Sequence, residues 1–315
     1  MSMKEELIEK TRNIFSVIAK SLKRVFGRKD TSILFKRKGK EKIIYGVVFV
    51  LFLIYALGIL YVYFFAFNAS LKNGGRAFMR DMVSLSSPPK WENYIDAFSL
   101  LTIGKTTYPI MIWNSVWYSV IGSVLGLATV TLSTYVISRY QFPGRNFIYN
   151  MVIFIMILPI MGSGPANYRL MAQLGFIESP LILLRSIDGL LDLILFAYFK
   201  AIPWEYAEAA MVDGASHWKI FSKIMLPQVL PGLSVLFVQA VIGRWNAYEG
   251  PLLYLGNNYP TLAVGIYKFE SQIKYAANQP AFFAGALLAA IPPIVLYVLI
   301  QNTLMTKIFV GGLKG

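Results

Sequence analysis

The chain has 315 residues, of which 56% are hydrophobic and only 15% charged, and its formal net charge is +14. Soluble domains contain about 25% charged residues, so this composition favours a membrane protein. There is no cysteine and only one histidine, His217. Disulfides, thiolate metal sites and catalytic thiols are therefore excluded, and we expect no metal site.

The apolar residues are concentrated in five long windows that contain no charged residue. A helix needs about 20 apolar residues to cross a bilayer, and each window is long enough to supply them. The windows cover residues 43–67, 106–138, 146–168, 224–243 and 275–306. The sequence therefore predicts an all-α, polytopic membrane protein.

The positive charge is concentrated ahead of the first window. Residues 1–42 hold 13 of the 30 lysines and arginines, which is typical of a cytoplasmic segment that precedes a spanning helix. This placement argues against a nucleic-acid partner. The arm shows helical spacing of apolar residues from Leu7 to Val25, which favours a basic amphipathic helix on membrane lipid. A loosely ordered solubilising arm is the alternative.

The first window itself is interpreted as an uncleaved anchor. The apolar run at 43–67 is longer than the core of a signal peptide, and no small-residue cleavage site follows it.

The sequence predicts six spans, and an even number of spans places both termini in the cytoplasm. The six predicted spans cover about 43–67, 109–137, 147–172, 182–201, 228–248 and 281–305.

This count predicts the organisation of the whole chain. A cytoplasmic arm (1–42) and a first transmembrane helix (43–67) precede an extracytoplasmic loop (68–107). A core (108–305) and a cytoplasmic tail (306–315) follow. Within the core, residues 138–146 and 201–226 are expected in the cytoplasm, and 173–181 and 249–280 outside.

A polar segment at 203–226 separates two apolar stretches and has the pattern of two short helices. Pro203 suits the first helical turn, and the acidic Glu205 suits the positive end of a helix. Gly214 can adopt the left-handed conformation that ends a helix, and Ser216 is a candidate N-cap for the next one. The segment is therefore predicted to form a compact helix–turn–helix.

Two further features of this segment point to a partner. Leu226 and Pro227 are expected to end the second helix, where the fifth span begins. Ala209, Ala210 and Gly214 are expected to form a small-residue face against which another protein could pack closely. We therefore expect the helix–turn–helix to be a docking element outside the membrane.

Three parts of this segment resemble a known signature. Glu208-Ala209-Ala210, Asp213-Gly214-Ala215 and Ile224-Met225-Leu226-Pro227 are similar to the cytoplasmic motif of the permease subunits of bacterial ABC importers. In that family the loop forms a coupling helix that docks into a groove on the ATPase subunit. The resemblance implies a type I ABC importer permease fold with six transmembrane helices. It also implies an ATPase-coupling role for Glu205, Glu208, Ala209, Ala210, Asp213, Gly214, Ala215, Leu226 and Pro227.

Other motifs narrow the resemblance to the maltose and multiple-sugar branch, over about residues 108–315. These motifs are WNSVWYSV, SRYQFPGRN, RWNAYEGPLLYL, YPTLAVGI and the closing GGLKG. The ending resembles the smaller permease of that branch, whose tail reaches toward the ATPases. That contact would involve Gly311, Gly312 and Lys314 here. The implied partners in the bacterial cell membrane are a second homologous permease, two ATP-binding cassette subunits and an extracytoplasmic sugar-binding protein.

No complete nucleotide site is recognisable in the chain. GKT at 104–106 matches the end of a phosphate-binding loop, but Ser99 occupies the position of the required leading glycine. We therefore expect a non-catalytic chain that binds no cofactor, with ATP and Mg²⁺ used by the partner ATPase.

Polar residues within the predicted spans are candidates for a transport path, because charges in a membrane are costly and face the bundle interior. Arg185, Asp188 and Asp192 have the spacing of one helical face. They could neutralise one another, or line the outer mouth of a sugar path. The remaining candidates are Trp113, Asn114, Gln239, Arg244, Asn246 and Tyr248.

Several functions remain open at this point. The resemblance favours a permease subunit of an ABC importer for a carbohydrate, and an importer for polyols or small peptides is the nearest alternative. An ion-coupled secondary transporter would be expected to show internal repeats and buried acids near the midplane, and we find no repeat between the halves. A membrane scaffold without a substrate would not need the loop signature.

Overall fold

The computed structural model describes residues 40–157, 162–188, 192–273 and 278–307. Most of the basic arm and the tail residues Gly311, Gly312 and Lys314 lie outside this part of the chain. Within it, the regular structure is helical, apart from one isolated bridge between Ile103 and Thr106. The predicted all-α class is therefore confirmed.

The described helices fall into two groups by length. The long ones are α1 (Lys40–Ser70), α4 (Tyr108–Arg139), α10 (Leu226–Asn246) and α13 (Gln279–Lys307). The shorter ones are α2 (Gly74–Arg80), α3 (Glu92–Leu100), α5 (Arg145–Ile157), α6 (Gly164–Gln173), a 3₁₀-helix (Pro180–Asp188), α7 (Leu193–Ala201), α8 (Glu205–Val212), α9 (His217–Ile220), a π-helical turn (Phe221–Met225), α11 (Glu249–Tyr254) and α12 (Leu262–Ile273).

Four helical stretches in the described residues are long and apolar enough to cross a membrane. They are Ile43–Ser70, Tyr108–Arg139, His217–Asn246 and Gln279–Gln301. These stretches correspond to the first, second, fifth and sixth predicted spans. The polytopic membrane class is confirmed by them.

The third and fourth predicted spans are not continuous helices. The third contains α5 and α6, and Gly162 with its φ of +87° leaves the helical conformation just before α6. The fourth contains the 3₁₀-helix and α7, and Asp192 has an extended backbone at the start of α7. Interrupted helices are tolerated at membrane depth where protein or a cavity surrounds them.

The chain divides into two compact units, Met1–Asn68 and Ala69–Gly315. In the first unit, the apolar side chains from Ile43 to Phe64 are exposed. In the second unit, α4 packs against α10, α7, α12 and the 3₁₀-helix, while α13 packs against α3, α10 and α12. Helix α4 is therefore the element on which the second unit is assembled.

Two apolar clusters lie toward opposite ends of α4. At its C-terminal end, the buried residues come from α4, α7, α8, α9, the π-helical turn and the start of α10, and include Tyr135, Phe199, Ala207, Phe221 and Val229. At its N-terminal end, they come from α3, α4, α10, α12 and α13, and include Ala97, Tyr108, Trp245, Leu262 and Ala284. Because α4 and α10 run antiparallel, each cluster joins the start of one helix to the end of the other.

Gly232 is the point at which α7 approaches α10 most tightly. A Cβ at this position would lie 2.5 Å from Cε2 of Tyr198, whereas a Cβ at Gly243 in the same helix would have no described atom within 4 Å. We expect Gly232→Ala to lower the free energy of unfolding by about 1–3 kcal/mol, because the ring must move. Gly243→Ala should raise it by up to about 1 kcal/mol, because alanine favours the helix. Thermal unfolding of the two variants in detergent tests this, and equal melting temperatures would contradict it.

Candidate functional site

The helix α8 ends in a well-defined turn at Gly214. The backbone amide of Ala215 donates to the carbonyl of Ala210 at 2.9 Å, and that of Gly214 donates to the carbonyl of Met211 at 3.0 Å. These two bonds define a Schellman motif, whose left-handed residue is normally glycine. Gly214 has the required φ of +75°. The sequence prediction that this glycine ends the helix is confirmed.

Ser216 begins the next helix, also as predicted. Its hydroxyl accepts a hydrogen bond from the backbone amide of Lys219 at 3.3 Å. The prediction that Leu226 and Pro227 end this helix is wrong, since α9, the π-helical turn and α10 form one stretch of 30 residues, His217–Asn246. Pro227 has no N–H to offer the carbonyl four residues earlier, and the wider π-helical turn immediately before it lets the backbone continue.

The two alanines of the signature differ in burial. Ala209 is exposed, whereas Ala210 is half-buried against the apolar cluster that contains Ala207. Adjacent helix positions differ by about 100° around the axis. A common face of Ala209, Ala210 and Gly214 toward a partner stays a prediction.

The other signature residues divide in the same way. Glu205, Glu208, Asp213, Gly214 and Pro227 are exposed, whereas Ala215 and Leu226 are half-buried against the cluster. The exposed residues are available to a partner. The half-buried ones fix the position of the loop on its own chain.

Large apolar side chains that sequence reasoning did not single out surround the turn. Val212 is 88% exposed, Trp218 67% and Tyr206 55%. An exposed apolar patch with a polar rim is typical of a protein-binding surface. We call Tyr206, Val212, Trp218 and the exposed acids Glu205 and Glu208 the loop surface. The available sequence signal was a valine two residues before a helix-ending glycine, in a segment that is otherwise polar.

Arg139, in the last turn of α4, contacts the end of α7 and the residue that precedes α8. Its Nη2 donates to the carbonyls of Phe199 and Ile202 at the end of α7. Its guanidinium also lies 5.6 Å from the ring centroid of Trp204, which precedes α8. From sequence alone, Arg139 is only a positive charge beside the second span. The structure makes it the residue that ties α4, α7 and α8 together.

A second contact joins the end of α4 to the start of α9. The hydroxyl of Tyr140 and Nδ1 of His217 lie 3.0 Å apart, and their rings meet edge to face. The ring of Tyr140 also meets that of Trp204. The single histidine of the chain is therefore part of the packing that holds the loop.

A polar cavity of about 170 Å³ lies near the other end of α10. Its lining includes Tyr118 of α4, Arg185 of the 3₁₀-helix, Arg244 of α10 and Tyr254 of α11. The continuous helix from His217 to Asn246 has 30 residues, and is about 45 Å long at 1.5 Å per residue. The cavity therefore lies toward one end of this helix and the loop surface toward the other. We call this space the arginine cavity.

Both guanidinium groups in the arginine cavity have close neighbours. Arg185 lies over the ring of Tyr254, 4.7 Å from its centroid. Arg244 lies against Gly122, where a Cβ would be 3.0 Å from its Nη1. Tyr118 lines the same cavity beside both arginines. The cavity thus brings together two positive charges that are 59 positions apart in the sequence.

The other charged candidates do not join them. Because the 3₁₀-helix ends at Asp188 and α7 begins after Asp192, the predicted single helical face of Arg185, Asp188 and Asp192 does not exist. The Asp192 carboxylate caps α7 by accepting from the backbone amide of Leu195 at 2.8 Å. The side chain of Asp188 lies outside the described side chains.

The uncharged candidates are dispersed. Asn114 is buried, and its side chain donates to the carbonyl of Pro260 at 3.0 Å and accepts from Trp117 Nε1 at 3.1 Å. Tyr248 stacks on Tyr267, with ring centroids 4.6 Å apart. Trp113, Gln239 and Asn246 are exposed. Asn114 is therefore a structural residue, and the others do not converge on one site.

Among the described side chains, no group of three or more histidines, aspartates or glutamates is placed to hold a metal ion. The site therefore consists of an exposed loop surface toward one end of a long helix and a positively charged cavity toward the other.

Comparison with known proteins identifies the family. Residues 130–309 match the sequence profile described as "Binding-protein-dependent transport system inner membrane component". Because this match covers more than half of the chain, the protein belongs to that family of transporter membrane components.

Curated relatives match over most of their own length. The maltose/maltodextrin transport system permease protein MalG of Photorhabdus laumondii is 30% identical over 247 residues, covering 71% of this chain and 81% of the relative. The arabinooligosaccharides transport system permease protein AraQ of Halalkalibacterium halodurans is 28% identical over 240 residues, covering 75% and 85%. The galactooligosaccharides transport system permease protein GanQ of Bacillus subtilis is 29% identical over 242 residues, covering 74% and 84%.

A solved structure shows the same fold. A chain of a bacterial ABC transporter involved in the import of the acidic polysaccharide alginate aligns with a TM-score of 0.68 and 22% identity. The alignment covers 84% of this chain and 98% of that chain. The predicted type I ABC importer permease fold is confirmed.

Proposed function

We propose that this protein is a transmembrane permease subunit of an ATP-binding-cassette importer and forms half of the path for a carbohydrate. Family membership and fold support the transport role. The relatives MalG, AraQ and GanQ are named as permeases of oligosaccharide systems, which supports a sugar or oligosaccharide as the cargo. A non-sugar solute carried by the same machinery is the alternative.

The observation that carries the proposal is the exposed loop surface at the end of a continuous spanning helix. Val212 projects from the turn that Gly214 closes, and the acids Glu205 and Glu208 flank it on α8. An apolar projection with an acidic rim suits a groove on a basic partner. In this proposal the partner is an ATPase subunit in the cytoplasm, which supplies the energy that this chain does not generate.

The remaining parts of the assembly follow from this orientation. The loop surface faces the cytoplasm together with both termini, and the arginine cavity faces outward in the bacterial cell membrane. A second homologous permease completes the path, and two ATPase subunits bind the two loops. An extracytoplasmic sugar-binding protein delivers the cargo, as the description of the family implies. The tail residues Gly311, Gly312 and Lys314 are proposed to contact the ATPases.

Reconstitution tests the dependence on the ATPase. The chain and its partner permease are placed in vesicles with ATP and the binding protein, with and without the ATPase subunits. We expect sugar to accumulate against a gradient only when the ATPase is present. Accumulation without the ATPase would contradict the proposal and favour an ion-coupled carrier.

The same vesicles test the loop surface. We expect Val212→Asp to reduce uptake at least about tenfold, because an unpaired carboxylate would be buried in the docked interface. Leu85→Asp is the matched control, since Leu85 is 71% exposed and lies outside the loop. Uptake by Val212→Asp at the rate of this control would show that the loop surface does not dock.

A further inference from the structure

We propose that Arg185 and Arg244 bind the carboxylate of an acidic sugar, such as a uronic acid unit, at the outer mouth of the path. This inference rests on the proposed function, because it specifies which carbohydrates the path accepts.

The charge in the arginine cavity is not balanced by the described part of the chain. Arg185 and Arg244 are half-buried and line the same cavity of about 170 Å³. No described carboxylate lies within ion-pair distance of either arginine. Half-buried charges are costly unless they are paired. Two guanidinium groups in one cavity therefore favour an anion between them.

The geometry of the cavity suits a carboxylate in particular. A planar guanidinium offers a fork of N–H donors that matches the two oxygens of a carboxylate. Arg185 lies over the ring of Tyr254, and a guanidinium that lies over a ring can still donate hydrogen bonds from its edge. The hydroxyl of Tyr118 adds a group that can hydrogen-bond to a sugar hydroxyl or to the carboxylate.

The size of the cavity limits what it holds. Pockets that enclose a whole ligand have volumes of about 300–1,000 Å³, and the arginine cavity is smaller. It would therefore hold one charged unit of a longer chain. The site would select for charge rather than for chain length.

Gly122 controls the position of Arg244. A Cβ at residue 122 would lie 3.0 Å from Nη1 and 3.3 Å from Cζ of Arg244. Gly122→Ala would therefore shift the guanidinium by a few tenths of an ångström without removing its charge. This variant therefore tests whether binding depends on the position of the positive charge as well as on its presence.

The test compares two ligands that differ only in charge. The importer, assembled from both permeases and the ATPase in lipid nanodiscs, is titrated by calorimetry with galacturonate trisaccharide and with the methyl ester of the same trisaccharide. No binding protein is present. We expect about tenfold tighter binding of the acid than of the ester, with a preference that weakens as salt is added.

Variants assign that preference to the cavity. Arg185→Gln and Arg244→Gln should each reduce it about tenfold while changing the affinity for the ester less than about twofold. Gly122→Ala should reduce it by a smaller factor. Arg80→Gln, an exposed arginine on α2, is the matched control and should leave the preference unchanged.

Three outcomes would overturn the inference. The first is equal affinity for acid and ester, which would also result if a carboxylate outside the described side chains paired with the arginines. The second is absence of binding of either ligand. The third is loss of the second permease from the nanodisc complexes of the arginine variants, which would mean that the arginines bind an acidic surface of that permease.

The proposed function is tested separately by ATP-dependent uptake of any carbohydrate. An importer that takes up neutral sugars and shows no preference for acids would retain the proposed function and refute only this inference.

Discussion

Gly214→Val is expected to abolish ATP-driven uptake while leaving the protein in the membrane. Gly214 has a φ of +75°, and the left-handed conformation costs an L-residue about 1–2 kcal/mol, most of all a β-branched one. The valine would break the two hydrogen bonds that end α8 and change the direction in which Val212 projects. Uptake per amount of membrane-inserted protein, and ATPase activity in the assembled importer, measure the effect.

Gly214→Asn provides the matched control. Asparagine tolerates the left-handed region, and no described atom lies within 4 Å of a Cβ at this position. We therefore expect asparagine to retain most of the uptake. If asparagine were as damaging as valine, the space around residue 214 in the docked complex, rather than the turn, would be the important property.

The second large effect is expected at Arg139. Arg139→Ala removes the donor to the carbonyls of Phe199 and Ile202, and hydrogen bonds to charged groups contribute about 1.5–3 kcal/mol each. We expect α8 to lose local stability by about 2–4 kcal/mol and uptake to fall more than tenfold. Arg139→Lys should be intermediate, because an ammonium can donate to both carbonyls but lacks the planar guanidinium that lies near the ring of Trp204.

Hydrogen exchange of the amides in 203–216 measures the loss of local stability directly. Arg145→Ala is the control, since Arg145 Nε donates to the carbonyl of Ile137 at 2.8 Å within the end of α4 itself. This control should leave the protection of α8 unchanged. If Arg139→Ala abolished uptake without any change in exchange, Arg139 would act on a partner chain rather than through the loop.

The long spans were predictable from the sequence because length and absence of charge determine them. The same criterion failed at Gly162 and Asp192, where the chain leaves the helical conformation within a stretch that otherwise suits a span. A different criterion, helix propensity, failed at Pro227. It favours a break there, and the π-helical turn Phe221–Met225 avoids the break. Both errors concern backbone geometry that neighbouring elements determine.

The candidate site shows the same division between local and tertiary causes. Gly214 and Ser216 were predictable because each acts through hydrogen bonds to its own neighbours in the chain. The role of Arg139 was not, because its partners lie about 60 positions further along the chain. Arg185 and Arg244 line one cavity because the 3₁₀-helix packs beside α4 and α10. A local sequence pattern does not specify that packing.

The unbroken helix from His217 to Asn246 is also a lever arm. Its 30 residues give a rod about 45 Å long, so a swing of about 10° at the loop end would carry the far end about 8 Å. Arg244 lies near that far end, whereas Arg185 lies in the 3₁₀-helix. In the proposed mechanism such a swing would move Arg244 away from Arg185, so that a push on the loop surface would weaken the binding of a carboxylate in the arginine cavity.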